Sequence, residues 1–360
     1  DTSFRYLVPI KAYTLENPSY IENIKQYYSE YNEFIAYSDL EGAVLTLKQN
    51  GDEIAKATVK NGEANFGVVL TPGMYALLNP VNGTTIISSV EILSTIQIPT
   101  EINIGYNAIL TITPTFLDDW GNELNGAEVI YKFDNEAEGN LITTENGEVS
   151  IEVEQGTGIG AHELVFKNTV TGEILTININ ILSRFVGNKN INMYYDDGTK
   201  YTVRIVDNDG KFVGAGEFIT IKIGSKTFTV KTDKNGYATL VIPNTITTGK
   251  YNVVATYKGP SVKNTIQVKQ VLKSTKTVTV KKSAKKLVLK ATLKGKTALK
   301  NKVVKFKVNG KTYSGKTNSK GIAKVTIKKA AINKLKAGKK YTVTISYLKN
   351  TIKTTLKVKS

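Results

Sequence analysis

His162 is the single histidine in a chain of 360 residues, and the one side chain whose type suits acid–base work near neutral pH. A multi-histidine metal site cannot be built from it, and no partner motif for a nucleophilic triad stands out. It falls in register with three tyrosines, so a packing role is expected. Asp207-Asn208-Asp209-Gly210 opens like a calcium loop, but position twelve, where such a loop needs glutamate, is Phe218. The matching turns are Asp118-Asp119-Trp120-Gly121 and Leu293-Lys294-Gly295, the latter without a carboxylate. A turn held by Asx side chains is therefore expected, with a weak calcium site near Asp196, Asp197, Asp207 and Asp209 as the alternative. Glu148, Glu152 and Glu154, close to Glu145, have even spacing and share one strand face, which reads as solvated surface rather than a hydrolytic pair. Trp120 alone is a thin basis for a sugar platform, and the pairs Tyr27–Tyr28 and Tyr194–Tyr195 are the other aromatic signal. A Lys–Asn crosslink beside a carboxylate has its residue types everywhere except the last quarter. No catalytic, cofactor or metal residue is assigned, and the chain is expected to be non-enzymatic.

The elements that position these residues repeat. TDKNGYATL at Thr232–Leu240, TNSKGIAKV at Thr317–Val325, TTENGEVSI at Thr143–Ile151 and VKNGEANF at Val59–Phe66 share one frame. Each places a glycine suited to positive φ before alternating apolar residues, which predicts a hairpin. A second frame is a glycine followed by a ring that opens a strand, with the ring at Tyr75, His162, Tyr251 and Tyr341. Subtraction gives spacings of 87, 89 and 90 residues. ILS recurs at Ile92–Ser94 and Ile181–Ser183, NPVNGTTI at Asn79–Ile86 is mirrored by NTVTGEIL at Asn168–Leu175, and NIKQYY at Asn23–Tyr28 matches NINMYY at Asn190–Tyr195. The expected domains are 1–93, 94–182, 183–270 and 271–360, the first divergent, its opening Asp1–Pro18 without counterpart. Short alternating segments rich in Val, Ile, Thr and Tyr predict about seven strands per repeat, an all-β chain of tandem immunoglobulin-like sandwiches in an elongated array. The recurring ring resembles the tyrosine corner of that architecture. Helix is confined to Lys328–Leu335, with a weaker helical spacing over Ser19–Tyr31.

The stretch Val206–Tyr257, with VDNDGKFVGAG, TFTVKTDKNGYATL and TTGKYNVVATY, resembles the bacterial/archaeal immunoglobulin-like repeats of adhesin-like surface proteins. Among these it is most similar to repeats from methanogenic archaea. The last repeat, with VTVKKSAKKLVLKATL and LKAGKKYTVTISYLKNTIKTTLKVK, resembles their lysine-rich terminal repeat still more closely. This resemblance implies a cell-surface stalk, extracellular or wall-associated. The sequence has no cysteine and no apolar run long enough to insert in a membrane. Its opening Asp1-Thr2-Ser3-Phe4 does not read as a signal peptide, and the chain is expected to be a mature or excised piece of a larger protein.

Charge separates the ends of the chain. The last 90 residues carry 27 lysines, no arginine and no acidic residue, against 48 basic and 31 acidic residues overall. The preceding residues hold 21 basic and 31 acidic side chains, net −10. Alternation in KFKV and LKVK places lysines outward on strands. Lysine without arginine or exposed stacking aromatics argues against nucleic acid. Flexible ammonium groups suit many weak contacts to an anionic cell-wall polymer. The expected contacts are Lys281, Lys282, Lys285 and Lys286, then Lys305, Lys307 and Lys311, then Lys357 and Lys359. The chain is expected to be monomeric, with no cofactor. The alternative is an adhesion module whose early domains bind a glycan or a partner cell.

Overall fold

The computed structural model describes residues 24–360. The chain forms two compact units, Asp1–Leu182 and Ser183–Ser360. Each contains two β-sandwiches in succession, here numbered one to four along the chain. Every sandwich sets a five-stranded sheet against a smaller one. In sandwich four the large sheet runs Thr277–Lys281, Asn350–Lys359, Lys340–Tyr347, Val303–Val308, Lys311–Lys316. The small sheet is Leu272–Lys273, Lys286–Leu293, Ile322–Lys328. Sandwich three repeats this order, and in sandwiches one and two the small sheet reduces to two-stranded pieces. In each large sheet the first strand pairs in parallel with the last, as Ile24 with Val90 and Thr277 with Thr355. That pairing within two otherwise antiparallel sheets is the immunoglobulin-like topology, and the chain is a tandem array of such sandwiches.

Alternation dictates the strands. In Val303–Val308 the residues Val304, Phe306 and Val308 are buried while Val303, Lys305 and Lys307 are exposed, the period-two pattern of a sheet with one wet face. The four ring positions form the corner that their spacing predicts. Tyr75 donates its hydroxyl hydrogen to the Thr71 carbonyl at 2.9 Å, and the Tyr251 and Thr247 hydroxyls lie 3.2 Å apart, both pairs four residues apart. The Tyr341 hydroxyl accepts from the Lys336 amide at 2.9 Å. His162 does the same work, its Nε2 lying 2.7 Å from the Gly158 carbonyl, again four residues back.

The glycine turns keep their predicted backbone but not their predicted role. Gly62, Gly147, Gly236 and Gly321 have φ of 80°, 82°, 82° and 73°. A Cβ at Gly236 would come within 2.7 Å of the Val213 carbonyl, so its frame needs glycine for space as well as for φ. The flanking strands, however, belong to different sheets: Lys226–Lys231 to the large one and Tyr237–Val241 to the small one. The turn closes a single antiparallel bridge, Thr232 to Ala238, and then carries the chain from one sheet to the other instead of extending as a hairpin ladder. The buried threonine that opens the frame is the last residue held on the large sheet before the switch. Its amide donates to the Glu217 carbonyl at 2.9 Å, and its Oγ1 donates to the Gly214 carbonyl at 2.7 Å and accepts from the Glu217 amide at 3.0 Å. Thr144 and Thr317 accept in the same way from the amides of Ala127 and Lys302.

Helix is scarce, as expected. Lys329–Ile332 forms one turn within the anticipated Lys328–Leu335. The helical spacing over Ser19–Tyr31 is overturned where it is described: Ile24–Tyr27 is a strand, because its parallel ladder to Thr84–Leu93 satisfies the backbone that a short helix would leave open. Residues 1–23, including the rest of that segment and Asp1–Pro18, lie outside the described residues. Among the described residues no helix is long and apolar enough to cross a membrane.

Candidate functional site

Strand register sorts the expected lysine contacts. Lys305, Lys307, Lys357 and Lys359 alternate with buried residues on the outer face of the large sheet of sandwich four, and Lys281 lies on the same face, paired with Lys359. Lys286 lies on the small sheet and Lys285 in the turn before it. Two lysines depart from the expected display. Lys282 donates its ammonium to the Asn333 carbonyl at 2.6 Å and to that of Leu335, so it fastens the loop after the short helix. Lys311 stands opposite buried Val308, on the other side of its sheet from Lys305, and its ammonium lies 5.2 Å from the Tyr313 ring centroid. Lys316 and Lys340 share the outer face and were not anticipated; Lys353 shares it as the alternation over Lys353–Lys359 expects, though it was not among the expected contacts. The even spacing of Lys353, Lys357 and Lys359 was the available signal.

The electrostatics of this surface are unfavourable by construction. Lys286 pairs with Lys328, Lys290 with Lys324, and Lys340 with Lys357, each directly across an antiparallel ladder. Like charges placed directly opposite destabilise a sheet. No acidic residue follows Asp233, so sandwich four holds no carboxylate side chain that relieves them. The loss of acids is selective rather than a failure of turn chemistry. Asp233 Oδ1 accepts from the amides of Asn235 and Tyr237 at 2.8 and 3.0 Å. In sandwich four Asn318 Oδ1 accepts from Lys320 and Ile322 at 2.9 and 3.0 Å. An uncharged amide does the work of the carboxylate.

The acidic candidates resolve as turns. Asp118 Oδ1 accepts from Trp120 and Asn122, and Asp207 Oδ1 from Asp209 and Lys211, all four bonds at 2.9 Å. Asp197 accepts from the amides of Tyr194 and Thr199 at 2.8 and 2.9 Å. Among the described residues no group of three or more His, Asp or Glu side chains is placed to hold a metal ion. Glu145 and Glu148 pair with each other across a turn, while Glu152 lies exposed on the strand Ile151–Val153. No lysine is buried among the described residues, so the buried Lys–Asn crosslink geometry is not formed. Trp120 is half exposed on its turn.

The tyrosine pairs serve the junctions inside each unit. A Cβ at Gly121 of sandwich two would collide with the Tyr27 ring of sandwich one, and one at Gly295 of sandwich four would sit 3.5 Å from the Tyr194 ring of sandwich three. Tyr28 and Tyr195 follow, each donating its amide to the last residue of its sandwich's final strand, Leu93 at 2.9 Å and Lys269 at 3.0 Å. Tyr106 and Lys282 occupy the corresponding place in sandwiches two and four, donating to Leu182 and Lys359. The tyrosine pair therefore recurs every second sandwich.

Fold and surface together define a tandem immunoglobulin-like array whose last sandwich is strongly cationic and carries no acidic residue. No protein-family profile matches the sequence, and no curated protein matches it. Among solved structures the chain is similar to a Ca2+-stabilized adhesin with which an Antarctic bacterium binds ice, at 18% identity and TM-score 0.23, covering 89% of this chain and 91% of that one. It is similar to the I9–I11 tandem of titin at 12% identity and TM-score 0.36, covering 73% and 98%. A third neighbour is the four-domain immunoglobulin segment of Sidekick-1, at 12% identity and TM-score 0.19, covering 97% and 98%. Likenesses this distant add nothing to what the topology of the chain already says.

Proposed function

We propose that the chain is a non-enzymatic, extracellular stalk of the adhesin-like kind, whose cationic end docks on an anionic cell-wall polymer. In this reading the four sandwiches are separate domains with boundaries at 93/94, 182/183 and 270/271, and the motif resemblance to surface proteins of methanogenic archaea supplies the setting. The observation that carries the reading is that 27 lysines and no acid are displayed on a folded sandwich rather than a tail. Rigid display of one sign of charge, with like charges held face to face, is costly for a spacer and useful for a dock. The test is co-sedimentation with wall fragments of the whole chain and of a chain ending at Gln270. Loss of sedimentation on truncation, and release of the whole chain at about 1 M salt where exposed charges are screened, are expected. Equal sedimentation of both chains, or binding indifferent to salt, overturns the reading.

A further inference from the structure

The outer face of the large sheet in sandwich four carries its lysines as a diagonal track. Register places them. Lys316 lies on the edge strand opposite Val303, and the next strand carries Lys305 and Lys307 one and two rows further on. Lys307 pairs with Thr344, and Thr344 with Lys353, so the track continues two strands over in the same row. Thr342 and Thr355 fill the next row, followed by the facing pair Lys340 and Lys357. The far corner is Lys359 beside Lys281. Positions off the diagonal are hydroxyls: Thr312, Ser314, Ser346, Thr351 and Thr277. Val303 is the one apolar residue on the face, and no aromatic or acidic residue stands there.

Crossing four strand spacings and five two-residue steps, the track is about 35–40 Å long. The small sheet offers nothing similar. Its two lysine pairs, Lys286–Lys328 and Lys290–Lys324, lie about 13 Å apart with Val288 and Thr326 between them. The track has one comparable gap, the Thr342–Thr355 row between Lys353 and Lys357, but it carries lysines in five of its six rows from corner to corner. The small sheet adds only Lys273 to its two pairs. An extended polyanion therefore meets a longer run of charge on the large sheet than on the small one.

We propose that this track binds one extended acidic polysaccharide laid corner to corner, its carboxylates on the lysines and its hydroxyls on the flanking threonines and serines. The proposal rests on the docking reading above and names the face and ligand that reading leaves open. A polysaccharide is favoured over nucleic acid because the face has no aromatic for bases to stack on and no arginine for base edges.

The test uses the whole chain with polygalacturonate oligomers of graded length and an oligothymidylate of matched charge. Two variants each remove four positive charges: Lys305→Gln, Lys307→Gln, Lys353→Gln and Lys357→Gln on the track, and Lys286→Gln, Lys290→Gln, Lys324→Gln and Lys328→Gln on the small sheet. Both sets are exposed and relieve like-charge pairs, so both variants are expected to melt no lower than the parent. The track variant should bind polygalacturonate at least about tenfold more weakly, and the small-sheet variant less than about threefold. Oligomers shorter than the track should bind more weakly than longer ones. Equal weakening by both variants, or no dependence on length, overturns the track while leaving docking by total charge intact. Tighter binding of oligothymidylate overturns the polysaccharide. Failure of the parent chain to bind any polyanion at low salt overturns the docking reading itself.

Discussion

The two units build the same junction from opposite materials. In the first, the link into sandwich two is Ser94-Thr95, and Glu173 grips it from within. Its buried carboxylate accepts from the Thr95 amide and hydroxyl at 2.6 Å each and from the Ser94 hydroxyl at 2.7 Å. In the second, the link is Gln270-Val271, and the gripping residue is Asn350, whose amide donates to Gln270 Oε1. The positions correspond, each nine residues before the strand residue paired with Gly105 or Lys281: 182 − 9 = 173 and 359 − 9 = 350. Around Val271 the buried residues of sandwiches three and four form one apolar cluster, through Tyr195 and Tyr347, whose rings meet edge-on at 6.1 Å. Sandwiches one and two keep separate apolar clusters. The geometry of a junction is thus specified by where the gripping residue and the tyrosine stand, while its chemistry is free to be ionic or apolar. The units also differ in charge: 8 basic against 25 acidic residues (−17) in the first, 40 against 6 (+34) in the second.

The sharpest way to break this comparison is at the tyrosine. Tyr195 is 1% exposed, donates to the Asn244 carbonyl at 2.7 Å and accepts from the Lys349 amide at 3.0 Å. Tyr195→Ala should lose the ring's packing and orphan both partners, costing about 3–5 kcal/mol of unit-two stability in urea melts. Its counterpart Tyr28 is only half-buried, and Tyr28→Ala should cost about 1–2 kcal/mol. Equal losses would mean that the two junctions rely on the ring alike.

The second test is the ionic grip. Glu173→Ala leaves three donors in a buried site and should cost about 2–3 kcal/mol, whereas Asn350→Ala removes neutral bonds and should cost about 1 kcal/mol. Thermal melts of each variant read the difference. A loss at Asn350 as large as that at Glu173 would remove the distinction between the junctions.

Little in the residue string marks Glu173, a lone glutamate in a turn of neutral residues; its burial follows from its bonds to Ser94 and Thr95, some 78 residues away, which only the folded chain reveals. The tyrosine pairs were more legible, because NIKQYY and NINMYY match two repeats apart, and that period is the period of the junction. Glycine turns, inward alternation and corner rings could be read because each is local. The crossover at Thr232 could not, since a hairpin and a sheet switch share the same turn residues and differ in which distant strand accepts the next segment. Lys282 and Lys311 were misplaced for the related reason that alternation identifies two faces but not a partner waiting at the edge.

The smallest expected effect concerns the corner of sandwich two. His162 Nδ1 lies 2.7 Å from Asp134 Oδ2 while Nε2 lies 2.7 Å from the Gly158 carbonyl. Both neighbours accept, and a neutral imidazole has one N–H, so the imidazolium is the form that satisfies both. The ring also stacks on Phe133 at 5.5 Å. The hydrogen bond to Asp134 raises the His162 pKa above its ordinary 6.5; burial opposes this, and the Gly158 carbonyl and the Asp134 charge reinforce it. Burial works against the Asp134 carboxylate, but hydrogen bonds from His162 and the Glu163 amide outweigh it and hold Asp134 below its ordinary 3.8. A raised histidine contributes stability that is complete below pH 6.5 and is lost as pH rises through the raised value. The lowered aspartate contributes stability present above pH 3.8 and lost as pH falls through its depressed value. Unit one should therefore gain most from this pair between about pH 4 and 6.5 and melt slightly lower at pH 8. His162→Tyr should restore the corner used by the other sandwiches and flatten the profile over pH 6–8, because a phenol does not titrate there. If the substituted chain keeps the same slope, the pH dependence belongs to other groups and the histidine is a corner residue alone.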